Sequence, residues 1–178
     1  MAAVAQEILI EYIKENQDKL YKIAYTYTKD KDLSLDVVQE SITKALEHIG
    51  SLKHEEYVKT WFYRILINES IKSSRKNKKL EEYELLDNVA TDKKYDEELI
   101  ESIDIYKNIQ KLNEKLKTVI ILRFFENLKI EEIAYITKTN VSTVKSRLYK
   151  GMEELKKSLE RSDCIWVYLK KPKWLMIQ

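Results

Sequence analysis

Residues 130–155 constrain the fold of this chain more than any other stretch of its sequence. Ile130, Ile133 and Ala134 recur at helical spacing, and a polar run at 137–140 then interrupts the repeat. Asn140 is suited to cap a second helix, because its side-chain oxygen can accept from the unpaired amides of the first turn. The apolar seam of that helix consists of Val141, Val144, Leu148, Met152 and Leu155. The pattern predicts two short helices joined by a tight turn.

The face opposite this seam favours a nucleic acid as its ligand. It combines hydroxyl, cationic and aromatic side chains, a mixture with which a helix in the major groove contacts base edges and phosphates. The residues on or beside this face are Ser142, Thr143, Lys145, Ser146, Arg147, Tyr149 and Lys150. Periodicity alone favours an ordinary solvated basic face. The tight turn before the helix narrows the choice to a DNA-binding helix-turn-helix.

The sequence of this region resembles the motif with which bacterial RNA polymerase sigma factors read the upstream (−35) promoter element. It consists of EEIAYI, a turn and then VSTVKSRLYKG. The resemblance is to the small extracytoplasmic-function (ECF) type of the sigma-70-like family. It implies that the seven residues above contact the upstream promoter element. The chain departs from the family at Lys138, where Gly is common, and at Thr139, where a small apolar residue is common. A non-glycine residue in a left-handed turn costs about 1 kcal/mol.

Glycine and proline are scarce throughout the chain, which has two glycines and one proline. A sheet needs turn residues that are missing here, so the predicted fold class is all-α. We expect two small helical domains, at 5–79 and 102–160, joined by an acidic linker at 80–101, with the helix-turn-helix in the second domain. An aromatic and basic tail follows at 161–178. It fits packing on the second domain, partner binding or lipid association, and we favour packing.

Several classes of function are excluded or disfavoured by what the chain lacks. Cys164 is the only cysteine and there are two histidines, so an internal disulfide is excluded and a metal site is disfavoured. We predict no catalytic residue, no metal and no cofactor, since no nucleophile–base pair or phosphate-binding glycine loop is present. No apolar run approaches the roughly 20 residues of a membrane span, and the early charges do not fit a signal peptide. The predicted location is the cytoplasm.

The amino-terminal half begins with two predicted amphipathic helices within residues 8–27, broken near 16–18. A third helix is predicted at 34–48, with a buried stripe of Val37, Val38, Ile42, Ala45, Leu46 and Ile49. Its sequence LDVVQESITKAL resembles the DxVQExFxxA stretch by which sigma factors grip the core polymerase. The resemblance implies that Asp36, Gln39 and Glu40 face that partner. For an isolated helix, a solvated face is the simpler interpretation.

The next segment contains a loop at 50–56, a helix from near Tyr57 and a basic tract at 72–79. Aromatic residues beside such a tract are typical of single-strand binding surfaces. The sequence TWFYRILIN also resembles the stretch with which sigma factors open the downstream (−10) promoter element. The resemblance implies that the loop contacts DNA through Leu52, Lys53 and His54. It also implies that Trp61 and Arg64 lie at the edge of the duplex and that Asn68 helps to recognise a base. For Trp61, core packing and a DNA contact are equally open.

A further packed helix is predicted around 112–124, where LNEKLKTVIILRFFENL resembles the helix that supports the family's helix-turn-helix. Its apolar face consists of Leu112, Leu116, Val119, Ile120 and Phe124. The resemblance as a whole implies a sigma factor whose partners are core RNA polymerase, promoter DNA and an anti-sigma factor. The alternative is a stand-alone helix-turn-helix repressor or activator with an amino-terminal dimerisation or sensing domain. That alternative predicts binding of palindromic operators by the protein alone.

Overall fold

The computed structural model describes residues 2–86 and 104–159, and the predicted tail and most of the predicted linker lie outside these ranges. The regular structure within the two ranges is helical, which confirms the all-α fold class. The α-helices are α1 (Ala2–Glu15), α2 (Gln17–Thr28), α3 (Lys31–His48), α4 (Val58–Leu86), α5 (Asp104–Lys111), α6 (Glu114–Ile120), α7 (Ile130–Thr137) and α8 (Val141–Leu159). Short 3₁₀ turns occupy Ile49–Ser51 and Glu55–Tyr57, and a π turn occupies Ile121–Phe125.

Local capping sets the helix boundaries of the amino-terminal domain. The predicted break near residue 16 is present, and the Asn16 side chain donates to the Tyr12 carbonyl at 2.8 Å. Lys29 ends α2 in the left-handed conformation (φ 56°), and Asp30 caps α3 by accepting from the Leu33 amide at 2.9 Å. Because Asp30 is the cap, α3 begins at Lys31, three residues before the predicted start.

Helix α4 is longer than predicted. It continues past the expected end at 79 to Leu86, into the predicted linker. The residues interpreted as a linker signal are also compatible with a helix, since Leu, Glu and Lys are good helix formers. Charge density alone therefore did not mark the end of the helix.

The first domain packs α2, α3 and α4 around Phe62 and Leu66, with α1 against α4. The predicted stripe of α3 is correct at Val37, Ala45 and Ile49, and wrong at Leu46, which is 38% exposed. Ser41, which is not part of the predicted stripe, is fully buried, and its hydroxyl donates to the Val37 carbonyl at 2.6 Å.

The second domain does not contain the continuous helix predicted around 112–124. Asn113 starts a new helix, α6, because its side chain accepts from the Lys115 amide at 3.0 Å. The π turn then ends at Phe125, and Asn127 adopts a positive φ of 52°. Phe124 of the predicted apolar face is only half-buried, whereas Leu116 and its predicted companions are buried.

Gly151 permits close packing of α8 against α6. A Cβ atom added there would lie 3.0 Å from Cγ1 of Ile120, closer than ordinary side-chain contacts. The two domains also pack on each other, through α5 against α2 and α7 against α4. Their buried apolar residues form one continuous cluster.

Candidate nucleic-acid and polymerase interfaces

The turn of the helix-turn-helix keeps its geometry without a glycine. Lys138 adopts the left-handed conformation (φ 51°) that glycine favours, and its amide donates to carbonyls of the preceding helical turn. The Thr139 amide donates to the Ala134 carbonyl at 3.0 Å. Asn140 then accepts from the Thr143 amide at 2.7 Å, as its predicted capping role requires. The hydrogen bonds of the turn therefore offset the strain at Lys138.

Helix α8 separates its two faces as the sequence pattern indicates. The seam residues Val144, Leu148 and Leu155 are at most 3% exposed. Five of the predicted upstream-element contacts are exposed, namely Ser142, Lys145, Ser146, Tyr149 and Lys150. The other two, Thr143 and Arg147, are half-buried on the flanks of this face. The structure therefore brings all seven to one side of one helix.

The predicted polymerase-facing residues also lie together. Asp36, Gln39 and Glu40 are exposed along one edge of an open groove between α3 and α4. The opposite wall of that groove is formed by α4, through Glu69, Lys72, Ser73, Lys76, Asn77 and Leu80. The wall on α3 thus presents carboxylates and an amide, whereas the wall on α4 presents cations beside the Glu69 carboxylate.

Lys44 links the two walls of this groove and was not selected from the sequence. Its ammonium lies 2.9 Å from the Glu40 carboxylate on α3 and 2.8 Å from the Glu69 carboxylate on α4. These hydrogen bonds, first to Glu69 and then to Glu40, raise the pKa of Lys44. Spacing within α3 indicates the pair with Glu40, whereas the pair with Glu69 depends on how the helices pack.

The residues predicted to act on the downstream element are less uniform. Lys53, His54 and Asn68 are exposed, whereas Leu52, Trp61 and Arg64 are half-buried. Leu52 and Trp61 pack partly against the core, so both predicted roles of Trp61 stay open.

Tyr57 stands beside this set and was missed as a candidate site residue. It is 51% exposed, and the His54 ring lies edge-on to it with centroids 6.0 Å apart. The available signal was an aromatic residue next to a polar loop, which is a common arrangement in single-strand binding surfaces.

Part of the α4 surface is covered by the second domain. The Arg64 guanidinium lies 5.0 Å from the ring centroid of Tyr135 on α7. The Thr60 hydroxyl donates to the Glu132 carboxylate, also on α7, at 3.3 Å. Arg64, a residue of the predicted downstream surface, and Thr60, one helical turn before it, are therefore both engaged by the helix-turn-helix domain.

Two charged groups lie buried between the domains. Glu126, just after the π turn, pairs with Lys19 of α2 at 2.8 Å and accepts a hydrogen bond from the Tyr63 hydroxyl. Burial raises the pKa of Glu126, and the hydrogen bond and charge of Lys19 partly oppose this rise.

Lys117 of α6 is the second buried charge, and its ammonium donates to the Thr26 carbonyl at the end of α2, at 3.0 Å. Burial, reinforced by the charge of Lys29, lowers the pKa of Lys117 to about 8. Neither group was predicted to be buried, since an isolated Glu or Lys is usually solvated.

Residues 2–86 and 104–159 contain no group of His, Cys, Asp and Glu side chains arranged to bind a metal ion. In those same ranges every helix is too short or too polar to span a lipid bilayer.

Comparison with known proteins identifies the two domains separately and in order. The family described as Sigma-70 region 2 matches residues 12–80, and the family described as Sigma-70, region 4 matches residues 102–155. The first match contains the groove between α3 and α4 and the predicted downstream residues, and the second contains the exposed face of α8. Because both halves match, a stand-alone repressor or activator is not favoured.

Relatives match along nearly the whole chain. RNA polymerase sigma factor SigV of Bacillus subtilis (strain 168) is 40% identical over 158 residues, which cover 88% of this chain and 93% of that protein. The ECF RNA polymerase sigma-E factor of Haemophilus influenzae is 31% identical over 163 residues, covering 83% of this chain and 85% of that protein.

A solved structure supports the fold. The sigma factor RpoE from Bartonella quintana, crystallised with the anti-sigma factor NepR, aligns with a TM-score of 0.66 at 22% identity, covering 86% of this chain and 96% of that one. At this identity the likeness shows the fold alone. The sequence relatives and the two family matches in order together show that this chain belongs to the sigma-70-type RNA polymerase sigma factors of the ECF group.

Proposed function

We propose that this sigma factor binds core RNA polymerase, the downstream promoter element and the upstream promoter element through the three separate surfaces described above. The domain at 5–79 binds core RNA polymerase through α3 and acts on the downstream promoter element through the 52–54 loop and α4. The domain at 102–160 reads the upstream element through α8. The observation that carries the proposal is the separation of faces on α8, where a buried seam lies opposite a continuous polar, cationic and aromatic surface.

The exposed face of α8 supports both base reading and phosphate binding. Lys145, Ser146 and Lys150 are exposed and can reach base edges, and Tyr149, 61% exposed, can pack on sugar or a thymine methyl. Thr143 and Arg147 lie on the flanks, which suits phosphate contacts. The Ser146 hydroxyl donates to the Ser142 carbonyl at 3.0 Å, so its oxygen keeps acceptor capacity for a base amine.

The groove between α3 and α4 supports protein binding. Its wall on α3 offers carboxylates and an amide on a rigid helix, and such groups pair with arginines of a facing helix. Lys44 fixes the position of the Glu40 carboxylate, which lowers the entropy lost when a partner binds. These features fit a helical element of the core polymerase.

The proposal assigns no reaction to the chain itself, because DNA and protein contacts suffice and the polymerase supplies the chemistry. It requires no cofactor, and it places the protein in the cytoplasm with the polymerase. It also includes an anti-sigma partner, by likeness to RpoE, whose structure was solved in complex with NepR.

Run-off transcription tests the proposal. Purified chain is mixed with core polymerase and a library of genomic promoters, and specific transcripts are sequenced. We expect transcripts that depend on the chain and disappear with the combined variant Asp36→Ala, Gln39→Ala and Glu40→Ala. The matched control is Glu47→Ala, an exposed carboxylate on the same helix that does not line the groove. Absence of transcripts and of core binding by the unchanged chain would contradict the proposal.

A further inference from the structure

We propose that Lys138, in the turn between α7 and α8, binds a phosphate of the promoter DNA and fixes how α8 enters the upstream element. This inference rests on the proposed function, because it takes α8 as the reader of that element. It goes beyond the seven predicted contacts, all of which lie within α8 itself. The ligand is a backbone phosphate, so Lys138 adds affinity and orientation but no preference for sequence.

The backbone at Lys138 is better suited to glycine than to lysine. Lys138 ends α7 in the left-handed conformation, with φ 51° and ψ 44°. A residue with a Cβ atom is strained in this region, whereas glycine is not. The hydrogen bonds that Lys138 makes in the turn come from its backbone amide, which glycine would supply equally. The fold therefore gives no reason for a lysine side chain here, and such a strained position is a candidate for a function.

The Lys138 side chain is exposed, and its ammonium forms no ion pair within the part of the chain that the structure describes. Lys157, near the other end of α8, differs in this respect, since it lies 2.7 Å from the Glu153 carboxylate. An ammonium without an internal counter-ion can bind an external anion without losing a contact of the folded chain. The Lys138 side chain is therefore available to DNA.

Hydrogen bonds on both sides of Lys138 hold its backbone in place. The Thr137 hydroxyl donates to the Ile133 carbonyl at 2.7 Å, so its oxygen accepts from the Thr139 hydroxyl, 2.9 Å away. On the other side Asn140 caps the amino end of α8. The position of Lys138 relative to α8 is thus fixed before DNA binds, which lowers the entropy lost on binding.

The charges around the turn favour an anion. Residues 137–152 contain no Asp or Glu, and their four cations are Lys138, Lys145, Arg147 and Lys150. Lys138 therefore extends the cationic surface of α8 beyond the amino end of that helix. A DNA duplex carries one negative charge for about every 1.7 Å of its axis, so a longer row of cations can meet more phosphates.

The position of Lys138 in the motif indicates a phosphate rather than a base. In helix-turn-helix complexes the second helix lies in the major groove with its amino end at the base edges, while the first helix crosses the sugar–phosphate backbone. Lys138 lies at the junction, at the end of α7 and three residues before Val141, the first residue of α8. A side chain at this junction borders the groove and lies beside the phosphates.

Binding of holoenzyme to promoter DNA over a range of salt concentrations tests the inference. Holoenzyme is assembled with the unchanged chain, Lys138→Gly, Lys138→Gln or Lys138→Arg, and its affinity is measured on duplexes that differ in the upstream element. The glycine variant removes both the charge and the strain, the glutamine variant removes the charge alone, and the arginine variant keeps the charge.

We expect the glycine and glutamine variants to lose about 0.9 from the slope of log affinity against log salt concentration, as for one phosphate contact. Relative to the unchanged chain, their loss of affinity should then grow about eightfold for each tenfold fall in salt concentration. The loss should be the same on every upstream sequence. Lys138→Arg should bind as the unchanged chain does.

The matched control is Lys29→Gly. Lys29 is exposed and ends α2 in the same left-handed conformation, with φ 56°, but it belongs to the first domain. This variant makes the same change of charge and strain, and it should leave the salt slope unchanged. Both glycine variants should unfold at urea concentrations no lower than the unchanged chain, because glycine relieves the strain. Weaker binding by Lys138→Gly would then not come from a damaged fold.

Three results would overturn the inference while leaving the proposed function intact. The first is equal affinity and salt slope for the unchanged, glycine and glutamine chains. The second is a loss in Lys138→Gly that is absent from Lys138→Gln, because the backbone rather than the charge would then be responsible. The third is a change of preferred base in Lys138→Gln. If holoenzyme with the unchanged chain shows no preference among upstream sequences, the proposed function itself is overturned.

Discussion

The two proposed DNA surfaces of this sigma factor, on α8 and on α4, differ in what covers them. On α8 the polar face is open along its length, from Ser142 to Lys150. On α4 the corresponding stretch is half-buried at Trp61 and Arg64, and α7 contacts it directly. One surface is complete in the isolated chain, whereas the other is shared between DNA binding and domain packing.

This difference shows which kind of binding surface can be predicted from the sequence and which cannot. A face produced by helical periodicity is visible in the sequence, because its buried and exposed residues alternate within one helix. A face covered by another domain carries no such local sign. The α4 surface therefore looks like a DNA site in the sequence and like an interdomain contact in the structure.

The largest effect should distinguish the two sides of α8. Leu148→Ala removes a buried seam residue and should lower the free energy of unfolding by about 2–5 kcal/mol, through lost burial and the cavity it leaves. Ser146→Ala, on the exposed face of the same helix, should change it by less than about 0.5 kcal/mol. Urea unfolding measures both. Similar losses for the two variants would contradict the separation of faces.

The groove side of the first domain should matter to the polymerase and not to the fold. Glu40→Ala should weaken core binding by about 2 kcal/mol, as expected for a charged contact at a desolvated interface. Its circular dichroism spectrum should match that of the unchanged chain, because Glu40 is exposed. A competition assay for core polymerase gives the affinity. Undiminished competition would place the polymerase contact elsewhere.

The packed side of the interface should impose a pH dependence. Lys117 has a pKa of about 8 in the folded chain against an ordinary value of 10.5, so the unfolded chain binds more protons between these values. The free energy of unfolding should therefore rise from pH 8 to pH 10 by up to about 2 kcal/mol. Below pH 8 it should level off, because Lys117 is then protonated in both the folded and the unfolded chain.

Two features make this pH experiment decisive. Lys117→Met should abolish the rise, since it removes the titrating group. Above pH 10 the slope should reverse, because burial raises the pKa of Tyr12 and Tyr27 and the unfolded chain then ionises first. Stability measured by urea unfolding at each pH provides the curve. A rise that persists in Lys117→Met would assign it to another group.

The smallest effect concerns the ring that covers Arg64. Tyr135→Ala should remove a cation–π contact between the domains and lower the free energy of unfolding by about 0.5–1 kcal/mol. Tyr135→Phe keeps the ring and is the matched control. Urea unfolding measures the difference. If both variants are equally stable, the ring of Tyr135 does not stabilise the contact between the domains.

Much of the fold was predictable because its signals are local. The scarcity of Gly and Pro predicted helices throughout, and Asn140 and the 16–18 break were visible as cap and turn signals. Errors occurred where local signals conflict. The apolar residues around Asn113 continue at helical spacing, yet Asn113 caps a new helix. The charged residues after Lys79 are compatible with either a linker or a helix.

The candidate site was predictable only where its signals are local to one helix. The seven residues of α8 share one side because a helix places them there. The roles of Lys44, Lys117 and Glu126 depend on partners between 25 and 107 residues away in sequence, in other helices. No pattern within a single helix can indicate such partners. The interdomain contacts therefore had to come from the structure.

The most direct test of the account is a binding selection on promoters in which both elements are randomised. Holoenzyme is assembled with the unchanged chain, with Lys145→Ala on α8, or with Asn68→Ala on α4. We expect Lys145→Ala to lose about 1–3 kcal/mol on the preferred site and to relax preference at one position of the upstream element alone. Asn68→Ala should alter the downstream element alone. If both variants return the unchanged motif at both elements, with only a uniform loss of affinity, neither helix reads sequence and the account is contradicted.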